Sequence, residues 1–418
     1  MKHIFITLSL LCCAFILCAQ QHPSCDGQRY LTPIYSELDT TLNVVFGNST
    51  SIGGNNKDLL MDVYEPSGDT ATMRPLVILA FGGSFVAGDR SSVADLCEHY
   101  AKRGFVAATI DYRLFDGWFI PLPDSIDLIE VVIQAVSDMK AAIRFFREDA
   151  ATLNKYKIDP NKIFVGGESA GGILASHVAY IDSNDVLDPL EQTFLAAHGG
   201  WDGNSSTNTQ YSSKVQGVLS FSGALHYARY MNAGEPPLFC AHDDNDNIVP
   251  YGNGYATFFG FLPIVSMQGS ATMHSKANAE GIYTEMVTIT NSSGHVSYAS
   301  SNSPWRDSVL ERSDEFLANI LCPSTVNIEE VVLEKNTTVA AFYPNPATTQ
   351  LTVELENLTS SYTITVYDQM GRLVRHESNL VDHYYELNRQ NLPTGIYYVQ
   401  LTFDDATQLP IKTKVIFQ

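Results

Sequence analysis

Between about residues 40 and 321, short apolar runs alternate with longer segments whose apolar residues recur at helical spacing. Residues 76–81 (LVILAF) and 105–110 (FVAATI) are unbroken apolar runs, as a strand buried on both faces requires. Residues 162–165, 217–221 and 238–241 are shorter, largely apolar segments that read as strands, and 283–290 alternates apolar with polar. Residues 126–149 and 305–321 carry apolar positions at helical spacing. Strand–helix alternation of this sort predicts an α/β fold with a mostly parallel central sheet flanked by helices, whose ligands gather at the carboxyl ends of the strands. Two stretches interrupt the pattern. Residues 182–214 are rich in Asn, Ser, Thr and Gly and are expected to form a surface loop. Residues 258–278 mix aromatics, Met, Ser and Gly, and fit a lid over the site or a plain loop equally well.

After Cys322-Pro323-Ser324 the pattern changes. Residues 324–335 form a short polar, acidic linker. From Asn336 onward no helical spacing occurs, and strands at 351–355, 362–367, 396–403 and 413–417 are separated by turn signals such as Met370-Gly371 and Pro393-Thr394-Gly395. That pattern predicts a small all-β sandwich over 336–418. At the other end, Lys2 precedes an apolar run over 4–17, and Cys18-Ala19-Gln20 supplies small and polar residues for cleavage. Residues 1–20 therefore read as a signal peptide, too short to span a bilayer. Bulky Leu17 disfavours lipid attachment at Cys18. The expected organisation is leader 1–20, catalytic domain 21–323, linker 324–335 and β-domain 336–418.

Composition narrows the function. The 418 residues carry Lys+Arg 25 against Asp+Glu 46, a formal charge of −21, which argues against nucleic acid and anionic membrane surfaces as partners. Of the seven cysteines, Cys12, Cys13 and Cys18 leave with the leader. Cys25, Cys97, Cys240 and Cys322 remain, and they allow either two disulfides in one of three pairings or buried free thiols. No Cys/His cluster has zinc spacing.

Gly167-Glu168-Ser169-Ala170-Gly171 is a GxSxG that follows a strand and opens a helix, the context a nucleophilic serine on a sharp turn requires. A serine needs a base, and the base needs an orienting carboxylate. His295 follows the strand at 283–290, and Asp246 follows the one at 238–241, so each group sits just past the carboxyl end of a separate strand. His242, His274 and His226 are weaker alternatives for the base, and Asp243 and Asp244 for the acid. The acidic run 243–246 lacks the glycine and distal Glu of an EF-hand calcium loop. Gly82 and Gly83, after the first buried strand, and the N–H of Ala170 are the candidate oxyanion hole. Glu168 is expected to be hydrogen-bonded support beside the nucleophile. The mechanism calls for no metal and no cofactor.

As a set, FGGSF at 81–85, Asp111-Tyr112-Arg113-Leu114, GESAGG at 167–172, the HxxxDxxVP pattern at 242–250 and Gly294-His295 resemble the carboxylesterase and lipase branches of the α/β-hydrolase fold. The resemblance covers about two-thirds of the chain. It implies ester hydrolysis through an acyl-enzyme, with Ser169 as nucleophile, His295 as base then acid, Asp246 as orienter, and Gly82, Gly83 and Ala170 binding the oxyanion. Asp111 and Arg113 are expected to be scaffold. Phe81 and Ser84 depart from the usual HGGG, which leaves bulky tertiary alcohols open as substrates. The tail, through Tyr343-Pro344-Asn345-Pro346-Ala347, Gly371-Arg372-Leu373-Val374 and Thr394-Gly395-Ile396-Tyr397, resembles the C-terminal sorting domain of the type IX secretion system of Bacteroidetes. That resemblance implies engagement of the secretion machinery, passage through periplasm and outer membrane, and a secreted or cell-surface protein. An adhesive or carbohydrate-binding sandwich is the competing reading of the tail. For the hydrolase the expected substrate is a small-molecule or polymer-linked ester. A serine exopeptidase and a non-catalytic binding protein on the same scaffold are the competing readings.

Overall fold

A computed structural model describes residues 25–117, 122–323, 339–369, 372–390, 392–405 and 411–418. The leader, the linker at 324–335 and the turn at Met370-Gly371 lie outside the described residues. Two compact units are present.

The first unit is built on an eight-stranded sheet. Its chain order runs β1 (Leu38–Thr50), β2 (Asn56–Pro66), β3 (Arg74–Ala80), α1 (Ala94–Ala101), β4 (Val106–Ile110), α2 (Ser125–Ala151), β5 (Ile158–Glu168), α3 (Ala170–Tyr180), α4 (Pro189–Ala197), β6 (Val218–Phe221), β7 (Ala224–Leu225), β8 (Leu238–Asp243), β9 (Asn253–Phe258), β10 (Leu262–Gly269), α5 (Ser270–Ala279), β11 (Thr284–Ile289) and α6 (Arg306–Leu321). In space the order is β1-β2-β4-β3-β5-β6-β8-β11, antiparallel at the β1/β2 and β2/β4 pairs and parallel from β4 to β11. Every residue of β3 and β4 is buried, which is why both were legible as unbroken apolar runs. The sheet is covered on both faces. α1 and α6 share one face, where Tyr100 and Ser313 hydrogen-bond at 2.9 Å, and α2 packs beside α3 on the other. α2 starts where Asp124 accepts from the N–H of Asp127 while Asp127 accepts from that of Asp124, a reciprocal cap.

The stretch 182–214 is not the expected loop. It contains α4, entered through a cap in which the Glu191 carboxylate accepts from the Asp188 N–H, with Pro189 in the first turn. The Asn/Ser-rich flanks on either side of so short a helix diluted its signal. The stretch 258–278 is the turn and second strand of a β-hairpin arm, in which β10 pairs with β9, followed by α5; β10 also pairs with β7.

The second unit has β12 (Val339–Tyr343), β13 (Gln350–Glu356), β14 (Tyr362–Asp368), β15 (Leu373–Leu380), β16 (Tyr384–Asn388), β17 (Gly395–Phe403) and β18 (Ile411–Phe417). They form two antiparallel sheets, β12-β13-β16 and β15-β14-β17-β18. Inward residues of both, among them Leu351, Val353, Ile364, Val366, Leu387 and Val399, form one apolar cluster.

The four cysteines follow neither expectation in full: one disulfide forms, Cys25–Cys322, closing 297 residues of chain, while Cys97 and Cys240 are buried free thiols. It clasps the first described residue to the end of α6. A closure this long lowers the entropy of the unfolded chain by the equivalent of roughly 6 kcal/mol on the loop-entropy account. The doubly substituted Cys25→Ser, Cys322→Ser protein is therefore expected to unfold at clearly lower urea concentration than the oxidised parent. Coincident unfolding curves would show that the clasp adds nothing.

Candidate active site

β5 turns into α3 through Ser169, whose backbone lies at φ 55° and ψ −115°. That conformation is costly for a residue with a Cβ and persists only where the surroundings enforce it. Here they do. The Ser169 N–H donates to the Phe221 carbonyl at the end of β6 (2.8 Å). A Cβ on Gly171 would lie 2.0 Å from the Ala80 carbonyl oxygen, and one on Gly167 2.3 Å from the same atom. Glycine at both positions lets the turn sit directly on the end of β3, which leaves the serine at the top of the sheet.

His295 and Asp246 reach it from neighbouring strand ends. His295 Nε2 is 2.7 Å from Ser169 Oγ, and His295 Nδ1 is 2.7 Å from Asp246 Oδ2. Asp246 also accepts from the N–H groups of Ile248 (2.8 Å) and Val249 (3.2 Å), and His242 Nε2 lies 3.3 Å away. Burial pushes the Asp246 carboxyl up. Hydrogen bonds from His242 and His295, the His295 charge and the Ile248 N–H outweigh it and hold the carboxyl at about 2. The carboxylate is thus ionised throughout the neutral range, as an orienter of an imidazole must be.

The rival residues have other tasks. Asp243 accepts from Ser292 Oγ (2.5 Å), from the Ser297 N–H (3.1 Å) and from the Ser297 hydroxyl. Asp244 accepts from the N–H groups of Asn291 (2.9 Å) and Ser292 (3.1 Å). Both carboxylates therefore shape the 291–297 loop that carries His295. This was not anticipated, although the short polar side chains of Asn291-Ser292-Ser293 and Ser297 are the partners such carboxylates need. His242 is buried between Ser270 Oγ (2.8 Å) and the Val249 carbonyl (3.1 Å). His226 pairs with Glu191 (2.7 Å), and His274 with Thr284 (3.0 Å).

The glycine loop after β3 closes against the elbow. A Cβ on Gly82 would lie 3.2 Å from Ser169 Cβ, and Gly83 has φ +126°, with a Cβ position 2.1 Å from the Ala87 carbonyl oxygen. Among the described residues, the N–H groups of Gly82, Gly83 and Ala170 donate to no protein acceptor. The DYRL segment supports this loop from behind. Tyr112 donates to the Phe81 carbonyl (2.8 Å) and stacks on the Phe81 ring, and the Phe115 N–H donates to the Phe85 carbonyl (2.8 Å). Arg113 is fully buried against Asp138 (2.8 Å) and also donates to Ser49, Ser205 and the carbonyls of Thr50 and Gln134. Asp111 holds Arg90 (2.5 Å). Asp111 and Arg113 thus fasten the segment rather than face the serine.

Glu168 departs from expectation: no hydrogen bond reaches its carboxyl among the described residues. Burial first, then the Asp95 charge, push it up to about 7, against the pull of Arg306 and His295.

An apolar cavity opens beside Ser169. Leu128, Val132 and Val136 line it from α2, Leu195 from α4, and Val265 and Met267 from β10. Both stretches that interrupted the sequence pattern are therefore cavity walls. Among the described residues, no group of three His, Cys, Asp or Glu is placed to hold a metal.

The strand order, with its antiparallel edge and a serine elbow after β5, defines the first unit as an α/β-hydrolase domain. Residues 61–229 match the BD-FAE family model, and residues 341–418 match the secretion system C-terminal sorting domain. The chain thus joins a BD-FAE-type hydrolase domain to a type IX sorting domain, which marks it for export to the cell surface or beyond. Among curated proteins it is similar to the probable carboxylic ester hydrolase LipM of Mycobacterium tuberculosis, 25% identical over 46% of this chain and 46% of that protein. A probable isoprenylcysteine alpha-carbonyl methylesterase of Oryza sativa is 33% identical over 28% of this chain and 24% of its own length. The neutral cholesterol ester hydrolase 1 of Rattus norvegicus is 31% identical over 27% and 24%. The chain thus spans less than half the length of each of these curated relatives. Among solved structures, the propionate-bound Est2 esterase of Thermogutta terrifontis is similar with a TM-score of 0.47 and 23% identity, covering 65% of this chain and 93% of that one. Among the described residues no helix is long and apolar enough to cross a membrane.

Two substitutions separate the acids. Asp246→Asn is expected to lower kcat by about ten-thousandfold, because the neutral amide can hold the imidazole in the wrong tautomer and no longer stabilises its protonated form. Asp243→Asn is expected to lower it by about tenfold to a hundredfold, through misplacement of the His295 loop. Steady-state kinetics on one chromogenic ester checks both, and equal losses would contradict the division of roles.

Proposed function

We propose that the protein is a secreted serine carboxylic-ester hydrolase acting through Ser169, His295 and Asp246 and an acyl-enzyme intermediate. The observation that carries this reading is the continuous hydrogen-bond chain from Ser169 Oγ through both ring nitrogens of His295 to Asp246 Oδ2, each link 2.7 Å. His295 Nε2 takes the hydroxyl proton as Oγ attacks the ester carbonyl carbon. The negative charge that develops on the carbonyl oxygen is met by the N–H groups of Gly82, Gly83 and Ala170 and by the N-terminus of α3. His295 then returns the proton to the departing alcohol. The acyl group stays on Ser169 until a water, deprotonated by the same imidazole, releases the acid. The apolar cavity beside Ser169 suits an acyl chain, and the curated relatives are named as esterases. The leader at 1–20, catalytic domain at 21–323, linker at 324–335 and sorting domain at 336–418 belong to the same reading, with the tail engaging the secretion machinery at the outer membrane.

The test is turnover of p-nitrophenyl acetate, butyrate and octanoate by the full chain and by Ser169→Ala. Turnover by the parent and a loss of about a millionfold in the variant are expected. A folded parent with no turnover would overturn the reading, and so would a Ser169→Ala protein as active as the parent. A pH profile adds a second check. Glu168 gains negative charge as pH rises through about 7, within electrostatic reach of His295. Glu168→Gln removes that titration, so the pH dependence of kcat/KM near 7 is expected to change. An unchanged profile would show that the Glu168 carboxyl has no influence on the reaction.

A further inference from the structure

The β9–β10 hairpin displays several large apolar side chains to water. Phe259 is 72% exposed, Phe261 76%, Tyr255 60% and Leu262 40%. The Phe258–Phe259 and Phe259–Phe261 ring centroids are 6.1 and 6.2 Å apart, and Phe258 is buried, so the tip is a cluster rooted in the arm. Phe259 sits at φ 59°, a conformation bulky residues avoid, followed by Gly260 at φ 80°. From Asn247 to Ser275 the sequence has no Asp, Glu, Lys or Arg, on a chain whose formal charge is −21. Large exposed aromatics gathered on one uncharged arm mark a surface that meets another apolar phase.

Position says which phase. Ala256, Thr257, Ile264, Val265 and Met267 of the same arm line the cavity beside Ser169. The apolar surface that would take the acyl chain therefore continues along the hairpin to its exposed tip. The arm is also tied to the acid loop: the Thr257 N–H donates to the Ile248 carbonyl (2.8 Å), and the Thr257 hydroxyl to the Asn247 carbonyl (2.6 Å), one residue from Asp246. Phe259, Phe261 and Leu262 offer no polar atom to a sugar hydroxyl. The absence of Lys and Arg denies the arm any attraction to anionic headgroups.

We propose that the tip of the β9–β10 hairpin is an interfacial anchor that seats the enzyme on the surface of an aggregated, uncharged acyl ester, so that acyl chains pass from that phase into the cavity along the arm. The proposal rests on the ester-hydrolase reading for its substrate, and it is tested by one measurement that needs no turnover and one that does.

The first measurement is flotation of the full-length Ser169→Ala protein with pure phosphatidylcholine vesicles, beside the same protein carrying Phe259→Ser and Phe261→Ser. The Ser169→Ala protein is expected to float with the vesicles. The triply substituted protein is expected to stay behind, and Phe259→Trp with Phe261→Trp in place of the serines is expected to restore flotation. The second measurement compares, in otherwise unsubstituted protein, soluble p-nitrophenyl butyrate with tributyrin raised past its solubility limit. The Phe259→Ser, Phe261→Ser protein is expected to keep kcat/KM on the soluble ester within about twofold and to lose about tenfold on the emulsion. Failure of the Ser169→Ala protein to float, equal flotation with and without the phenylalanines, or equal losses on both esters would overturn the anchor. Flotation without any ester turnover would leave the anchor standing and overturn the hydrolase reading. Retention of the parent tip, but not the serine variant, on insoluble polysaccharide in place of vesicles would assign the aromatics to a glycan instead.

Discussion

The backbone at Ser169 is the constraint on which the rest of the hydrolase unit depends. A non-glycine residue held at φ 55° and ψ −115° stores on the order of 1–3 kcal/mol. That conformation is what turns the chain from β5 into α3 within one residue and leaves the hydroxyl above the sheet. The strain is contained by contacts that tolerate no added atoms: Gly167 and Gly171 against the Ala80 carbonyl, and the Ser169 N–H on Phe221. The strands on either side, β3 and β6, must therefore hold their positions to within a few tenths of an ångström. Their complete burial and that of β5's central residues provide the stiffness.

The side chains proposed as base and orienting acid obey a different logic. Asp246 and His295 stand on loops, which are softer than strand ends, so the loops themselves are braced. Asp243 and Asp244 spend their carboxylates on the hydroxyls and N–H groups of 291–297, while Asp246 spends one on the N–H groups of Ile248 and Val249. Three carboxylates within four residues serve one imidazole, one by touching it and two by fixing the loop that carries it. The glycine loop after β3 is braced in the same fashion, by Tyr112 and Phe115 from the segment after β4.

How much of this was legible depended on the kind of interaction involved. Strands buried on both faces announce themselves, and β3, β4, β6, β8 and α2 fall where apolar runs or helical spacing put them. The serine, histidine and aspartate were singled out because each follows such a strand, and the structure brings all three within hydrogen-bond reach. The antiparallel strands β1 and β2 at one side of the sheet were not singled out, nor were β12, β15 and β16 of the tail. β15 (LVRHESNL) has mostly exposed or half-buried residues and hence no apolar face to read. The α4 segment was hidden by its Asn/Ser-rich surroundings, although Asp188-Pro189 and Glu191 carried the signature of a helix start. The tasks of Asp243, Asp244 and Glu168 were invisible for another reason. A carboxylate's role is set by which distant loop folds back on it, and no local pattern records that.

The account's central claim is that Ser169 is a nucleophile activated by His295. The most direct measurement is intact mass and peptide mapping of the full chain after exposure to a fluorophosphonate, which traps an activated serine without needing the right ester. One phosphonyl group per chain, on the peptide containing Ser169 and absent from His295→Ala protein under the same conditions, is the predicted result. An unlabelled folded protein, or a label on another residue, would contradict it.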